Sequence, residues 1–246
     1  MIVGFCGAGS MAAAMARGLV GEAERMLFTD SGSGSAVDLA SEVGGEAVGS
    51  NAELAAQADV VVLAVKPAKL GDVAAELSAA KVVVSLLGAT SLEKVQGVFP
   101  DAEVVRVMPN VAVEVRRGVL CIAGDPDAEL RGMLQRLGHV VELEDSEFDA
   151  ATAVMGCAPA YLALAVEAIS DAGAVDGLDE ELARELVVET TAGTAELLRQ
   201  RHPADVRRAV ASPGGSTEAG LEALDRLDAR GAFEAAVEAS LERMRG

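Results

Sequence analysis

Two short stretches of the chain carry residue types whose spacing can do chemistry. Gly7-Ala8-Gly9-Ser10-Met11-Ala12 follows the apolar run "IVGFC" and opens a segment of helical periodicity that continues to Leu19. This is G-x-G-x-x-A between a strand and a helix. Gly7 permits the tight turn, Gly9 lets the backbone come close to a pyrophosphate, and Ala12 lets helix and strand pack closely. A phosphate placed there meets free N–H groups at the positive end of a helix. A second run, "RMLFTD", ends in Asp30, about twenty residues further on, where a carboxylate can accept a hydrogen bond from an adenosine ribose. Ser31 and Ser33 follow it and can hold a 2′-phosphate, but no arginine accompanies them. Asp30 favours NADH and the serines leave NADPH open, so both cofactors stand at this stage.

The second stretch, "SPGGST" at 212–217, interrupts a region rich in Ala, Glu, Leu and Arg. Gly214 and Gly215 have no side chains to obstruct an approaching carboxylate, and Ser216 or Thr217 begins a helix whose free N–H groups favour an anion. The same residues also read as an ordinary helix start with Thr217 as its cap. In open α/β sheets ligands lie beyond the carboxyl ends of the strands. That rule singles out Ala64-Val65-Lys66-Pro67, Leu87-Gly88 and Met108-Pro109-Asn110, each of which follows or ends an apolar run and each of which is also a plain turn sequence. His139 precedes a strand and His202 precedes Pro203, with no catalytic-looking neighbour, so neither is chosen as a base. Cys6, Cys121 and Cys157 are widely spaced and read as small core residues, with no metal site expected. No lysine follows Lys94, which removes any mechanism that needs one in the second half.

These residues need elements to hold them. Residues 58–65 and 81–87 are continuous Val/Leu runs suited to a parallel sheet buried on both faces. With "EVVRVM", "GVLCIAG" and "HVVEL", and helical segments between, the alternation predicts an α/β, doubly wound, Rossmann-like dinucleotide-binding domain over 1–145. From Ser146 onward strand signals stop, and 146–246 is expected to be all-helical. Its helices carry few large side chains, so packing across a homodimer is expected. The net charge of −19 argues against a nucleic-acid partner. No apolar run is read as approaching the ~20 residues of a membrane span, and the first residues lack a basic leader, so no membrane association and a cytoplasmic location are expected.

In order along the chain, "GFCGAGSM", "ADVVVLAVKP", "VVSLLGATSLEKV", "VVRVMPN" and "SPGGST" resemble the motifs of the pyrroline-5-carboxylate reductase family, and the likeness covers nearly the whole chain. The resemblance implies an NADPH- or NADH-dependent reduction of the cyclic imine 1-pyrroline-5-carboxylate to L-proline. It also implies an interlocked helical dimer, a possible ring of dimers, and an active site between the cofactor domain and that dimer. On the family pattern Gly7, Ala8, Gly9, Ser10, Met11, Asp30, Ser31, Asn51, Ala64, Val65, Lys66, Pro67, Leu87 and Gly88 bind the cofactor. Asn110, Gly214, Gly215, Ser216 and Thr217 bind the substrate, with the Thr217 hydroxyl beside the ring nitrogen. Ser10 stands where the family has Asn and is expected still to cap its helix. Val111-Ala112 replaces the family's Thr-Pro, and Met155-Gly-Cys-Ala-Pro-Ala-Tyr161 replaces Ser-Gly-Ser-Gly-Pro-Ala-Tyr, changes that bear on substrate fit. A reductase of a six-membered cyclic imine carboxylate and a dinucleotide-binding sensor remain alternatives. The 3-hydroxyacid dehydrogenases share the two-domain plan but place a lysine where this chain has none.

Overall fold

The valine-rich runs lie at the centre of one eight-stranded sheet. Its strands are β1 (Ile2–Cys6), β2 (Arg25–Thr29), β3 (Glu46–Ala47), β4 (Val60–Leu63), β5 (Val82–Ser85), β6 (Glu103–Pro109), β7 (Gly118–Ala123) and β8 (Gly138–Glu142), in the order β3-β2-β1-β4-β5-β6-β7-β8. All neighbours pair in parallel except β6 with β7. Side chains alternate between two cores: Val60, Val62, Val84, Val105 and Val107 enter one, and Val61, Leu63, Val83 and Val104 the other. That two-sided burial is why the strands read as unbroken apolar runs rather than alternating ones. β3 had no such signal, since its two residues are both exposed.

The helices of this part are α1 (Ser10–Gly18), α2 (Ser35–Val43), α3 (Asn51–Gln57), α4 (Leu70–Glu76), α5 (Leu92–Val98), α6 (Ala128–Leu137) and the short α7 (Phe148–Ala151). α8 (Ala158–Val175), α9 (Glu180–Leu198), α10 (Pro203–Val210), α11 (Ser216–Arg226) and α12 (Ala229–Arg245) follow. The computed structural model describes residues 1–245. The chain divides into two units: Met1–Cys157 together with the chain from Leu241 onward, and Ala158–Ser240. The boundary lies beyond residue 145 because α7 packs on the sheet, with Phe148 fully buried against Cys121 and Ala123. A π-helical turn, Thr152–Gly156, then leads out of this unit.

In the second unit only Ala183 and Ser170 are buried, while Leu162, Leu164, Ile169, Leu186 and Phe233 are each at least half exposed. α8 packs on α9, and a groove of about 1190 Å³ is lined by residues of both helices and the turn between them, including Ala163, Val166, Leu178 and Arg184. The expectation that no apolar run reaches membrane-span length is corrected here. The helical stretch Asp145–Val175 is long and apolar enough to cross a membrane by length and composition, with an 18-residue window of mean hydropathy 1.6. Tolerated small residues and a single acidic side chain across 149–166 keep that segment uncharged over most of its length.

Candidate functional site

The turn after β1 is shaped by backbone conformation. Gly7 has φ +100°, and a Cβ there would lie 2.6 Å from the Ala64 carbonyl oxygen. Its N–H donates to Thr29 O at 3.0 Å, while Ala64 N–H donates to Cys6 O at 2.9 Å, tying the turn to its neighbouring strand ends. Gly9 is the N-cap of α1, and a Cβ there would meet nothing within 4 Å. Side-chain caps close the starts of α3 (Ser50), α5 (Ser91), α6 (Asp127), α9 (Asp179) and α10 (His202). α1 has none, so its first-turn N–H groups have no side-chain acceptor. Ser10 is therefore not the cap that the sequence suggested. It is the first helical residue, exposed beside Met11, with Ala12 fully buried beneath.

Asp30, at the end of β2, organises the next loop. Its Oδ1 accepts from Gly32 N–H at 2.7 Å, and Oδ2 accepts from Ala36 N–H at 2.9 Å, Ser33 Oγ at 2.9 Å and Ser35 Oγ at 3.1 Å. The Ala36 amide above all, then those of Gly32 and the two hydroxyls, hold the carboxyl down at about 2 against a smaller opposing effect of burial. Ser31 is exposed on the same loop. Asn51, the first residue of α3, accepts at Oδ1 from Thr29 Oγ1 at 2.6 Å and from Cys6 Sγ at 3.4 Å, and its amide donates to Glu76 Oε2 at 2.7 Å. Burial, more than any neighbour, pushes the Cys6 thiol up to about 11, which makes it an inert packing residue. Cys121 is also buried, whereas Cys157 is only half-buried, so the core assignment of all three thiols holds for two.

Ala64, Val65, Lys66 and Pro67 follow β4, and Leu87 and Gly88 follow β5. Lys66 and Gly88 are exposed and Leu87 is buried. The residues expected at the cofactor thus come together along one edge of the sheet, at the carboxyl ends of the adjacent strands β2, β1, β4 and β5. Asn110 follows β6 directly and is buried. Its Oδ1 accepts from Val119 N–H at 3.1 Å and its amide donates to Met155 O at 3.2 Å, so the side chain joins the β6–β7 hairpin to the π-helical turn.

In the second unit, Gly214 has φ +71° and Gly215 is the N-cap of α11, again without a side-chain cap. Thr217 lies inside the first turn, half-buried, and its hydroxyl makes no hydrogen bond among the described residues. The reading of Thr217 as a cap is corrected by this geometry. Glu218 was not anticipated: its carboxylate accepts from Gly214 N–H at 2.6 Å. The bond reaches one residue beyond the N-cap Gly215, so it is not the capping-box bond that the Gly215-to-Glu218 spacing would suggest. Also unanticipated was Arg106, buried on β6, which donates to Asp145 Oδ1 at 2.8 Å and lies 4.3 Å from the centre of the Phe148 ring. His202 accepts at Nδ1 from Ala204 N–H, a structural use.

The residues of the first unit fit a dinucleotide. An uncapped helix start, open space over Gly9 and a carboxylate at the end of β2 are the three parts such a ligand needs for its pyrophosphate and ribose.

The chain matches the family model for pyrroline-5-carboxylate reductase dimerisation over residues 145–246 and that for coenzyme F420-dependent NADP oxidoreductase over residues 2–88. It is 39% identical over 204 residues to a pyrroline-5-carboxylate reductase of Synechocystis, covering 78% of this chain and 76% of the relative. A crystal structure of 1-pyrroline-5-carboxylate reductase from Streptococcus pyogenes superposes with a TM-score of 0.89 at 27% identity, covering 99% of this chain and 98% of that one. The Plasmodium falciparum pyrroline carboxylate reductase with NADP bound gives 0.86, also at 27% identity, covering 99% and 97%.

Proposed function

The chain belongs to the pyrroline-5-carboxylate reductase family, and from that membership we propose that it reduces 1-pyrroline-5-carboxylate to L-proline with NADH or NADPH. The observation that carries the reading within the chain is the glycine-led helix starts at Gly9 and Gly215, which lack side-chain caps; a third such start, at Gly34, already has its Ala36 amide bonded to Asp30. The first two leave N–H groups free for an anion, one suited to a pyrophosphate and one to a substrate carboxylate. On this reading residues 1–145 hold the cofactor, and 146–246 supply the substrate seat and the dimer interface.

When bound, the reduced nicotinamide supplies the hydride that the imine carbon takes up. What the chain's own residues contribute is binding and orientation. The amides after Gly9 hold the pyrophosphate, and residues 64–67 and 87–88 line the groove beyond it. Gly214 and Gly215 admit the carboxylate to the start of α11 without steric obstruction. The Thr217 hydroxyl, with no bond elsewhere, accepts from the N–H of the protonated imine and fixes the ring against its partner. Protonation makes the C=N carbon more electrophilic. Asn110 acts by holding Met155 and the π-helical turn in place, in the segment where this chain departs from the family pattern.

Thr217→Ala is expected to lower kcat at least tenfold, roughly 1.4 kcal/mol in the barrier, with cofactor Kd and Tm unchanged because the Thr217 hydroxyl bonds to nothing in the protein. Thr217→Ser should restore most of the rate. Steady-state kinetics with 1-pyrroline-5-carboxylate, following loss of the reduced nicotinamide, test this, and an unchanged kcat in the alanine variant rules the hydroxyl out. The six-membered homologue belongs in the same assay, since Val111, Ala112 and Met155 alter the segments where the pocket is expected; faster turnover of the larger ring would reassign the substrate.

The sparse burial of the second unit supports a homodimer, itself able to assemble into a ring of dimers. Helices that bury only Ala183 and Ser170 within their own unit lack the apolar burial to stand alone, and a second copy can cover Leu164, Ile169 and Leu186. The long apolar stretch from Asp145 is then covered by protein, consistent with a cytoplasmic enzyme. Light scattering on detergent-free protein is expected to give an even multiple of the 25.0 kDa chain. A folded monomer at micromolar concentration, or aggregation relieved only by detergent, would overturn this.

A further inference from the structure

The adenosine-ribose end of the groove has polar groups already committed in a way that bears on cofactor choice; the inference rests on the dinucleotide reading above. Gripping a 2′-phosphate calls for hydroxyl or amide donors, or a cation. Four donors on the loop after β2 are turned inward: Ser33 Oγ, Ser35 Oγ and the amides of Gly32 and Ala36 all donate to the Asp30 carboxylate, which leaves the exposed Ser31 hydroxyl as the side-chain donor the loop still offers. Oδ2 takes three of those bonds and Oδ1 only one, so Oδ1 keeps a free lone pair for a donor such as a ribose hydroxyl. A phosphate there would bring only acceptors and negative charge.

No cation offsets this. From Asp30 to Gln57 the sequence contains no Lys or Arg. The cations that share this sheet edge, Lys66 and Lys69, follow β4 on the far side of β1, and Lys69 is held by Asp72 at 3.0 Å. Asn51 accepts from Thr29, the residue before Asp30, and its amide is turned onto a second carboxylate, Glu76, at 2.7 Å. That amide donor is thereby directed at an anion and not at the ligand. We infer that Asp30 and Glu76 together make this chain select NADH over NADPH, with Asp30 accepting from the ribose diol and Glu76 withdrawing the Asn51 amide while adding like charge.

Equilibrium binding of NADH and of NADPH to the full-length protein, by calorimetry, tests this apart from turnover. Wild type is expected to bind NADH at least about tenfold more tightly. Glu76→Gln keeps an acceptor for Asn51 and removes the charge, and Asp30→Asn removes the other; each is expected to narrow the ratio of the two Kd values by about threefold or more. Equal or tighter binding of NADPH by wild type overturns the inference, as does a ratio that neither variant changes. Should Asp30→Asn disorder its loop, Glu76→Gln alone decides. Binding of neither cofactor would overturn the dinucleotide reading itself, a result distinct from binding without selectivity.

Discussion

Replacing Gly9 by valine is expected to weaken NADH and NADPH binding at least a hundredfold, about 2.7 kcal/mol, while leaving the cofactor-free protein folded. The two effects separate because of what surrounds the residue. A Cβ at Gly9 would meet no protein atom within 4 Å, and its φ of −79° is open to any side chain. Valine at an N-cap costs on the order of 1 kcal/mol relative to glycine, or roughly 2–4 °C in Tm for a chain of this size. The space the valine would fill lies in front of the free amides of α1, where the pyrophosphate must come close. Gly7→Ala makes the contrast. Its φ of +100° and the Ala64 oxygen 2.6 Å from a new Cβ put the strain inside the fold, so that variant should lose Tm whether or not a ligand is present. Calorimetric titration with thermal unfolding distinguishes them. Wild-type cofactor affinity in Gly9→Val would remove the phosphate from this turn.

The contrast also shows why this part of the protein could be read from its sequence. The fingerprint at 7–12 is local: strand, turn and helix are adjacent in the chain, and each glycine has a reason visible at its own position. The seven long strands were legible for a similar cause, since Val60 to Leu63 and Val82 to Ser85 bury both faces and so show as unbroken apolar runs. Where two distant segments meet, the sequence was silent. Arg106 sits among valines in "VVRVM", yet it is 4% exposed, because residues 145–148 cover its face of the sheet. Asp30 could be named as a ribose acceptor, but not the fact that Ser33 and Ser35 spend their hydroxyls on it. Thr217 could be placed at a helix start, but whether it capped that helix depended on the start falling at Gly215, a matter of one or two residues.

The Arg106–Asp145 pair gives the largest expected loss of stability. Asp145→Ala removes the carboxylate that accepts from Arg106 Nη1 at 2.8 Å and from Leu92 N–H at 3.1 and 3.2 Å. It leaves a guanidinium buried with its Nε already unpartnered. Removing one member of a buried pair costs about 3–5 kcal/mol, because the remaining charge has lost its compensation. The Asp145 side chain is 31% exposed, so water reaches the vacated position and the lower figure applies, about 3 kcal/mol or roughly 6–12 °C in Tm. Comparison at equal protomer concentration is needed if the protein is dimeric. Arg106→Met with Asp145→Ala should be more stable than Asp145→Ala alone, since the double variant buries no charge and methionine can still pack on Phe148. A double variant less stable than the single, or a single variant within 1 kcal/mol of wild type, would show that the pair is not what holds β6 to the start of α7. If it is, loosening that strut also frees the π-helical turn that Asn110 grips at Met155 O, and Asp145→Ala should raise KM for the substrate more than for the cofactor.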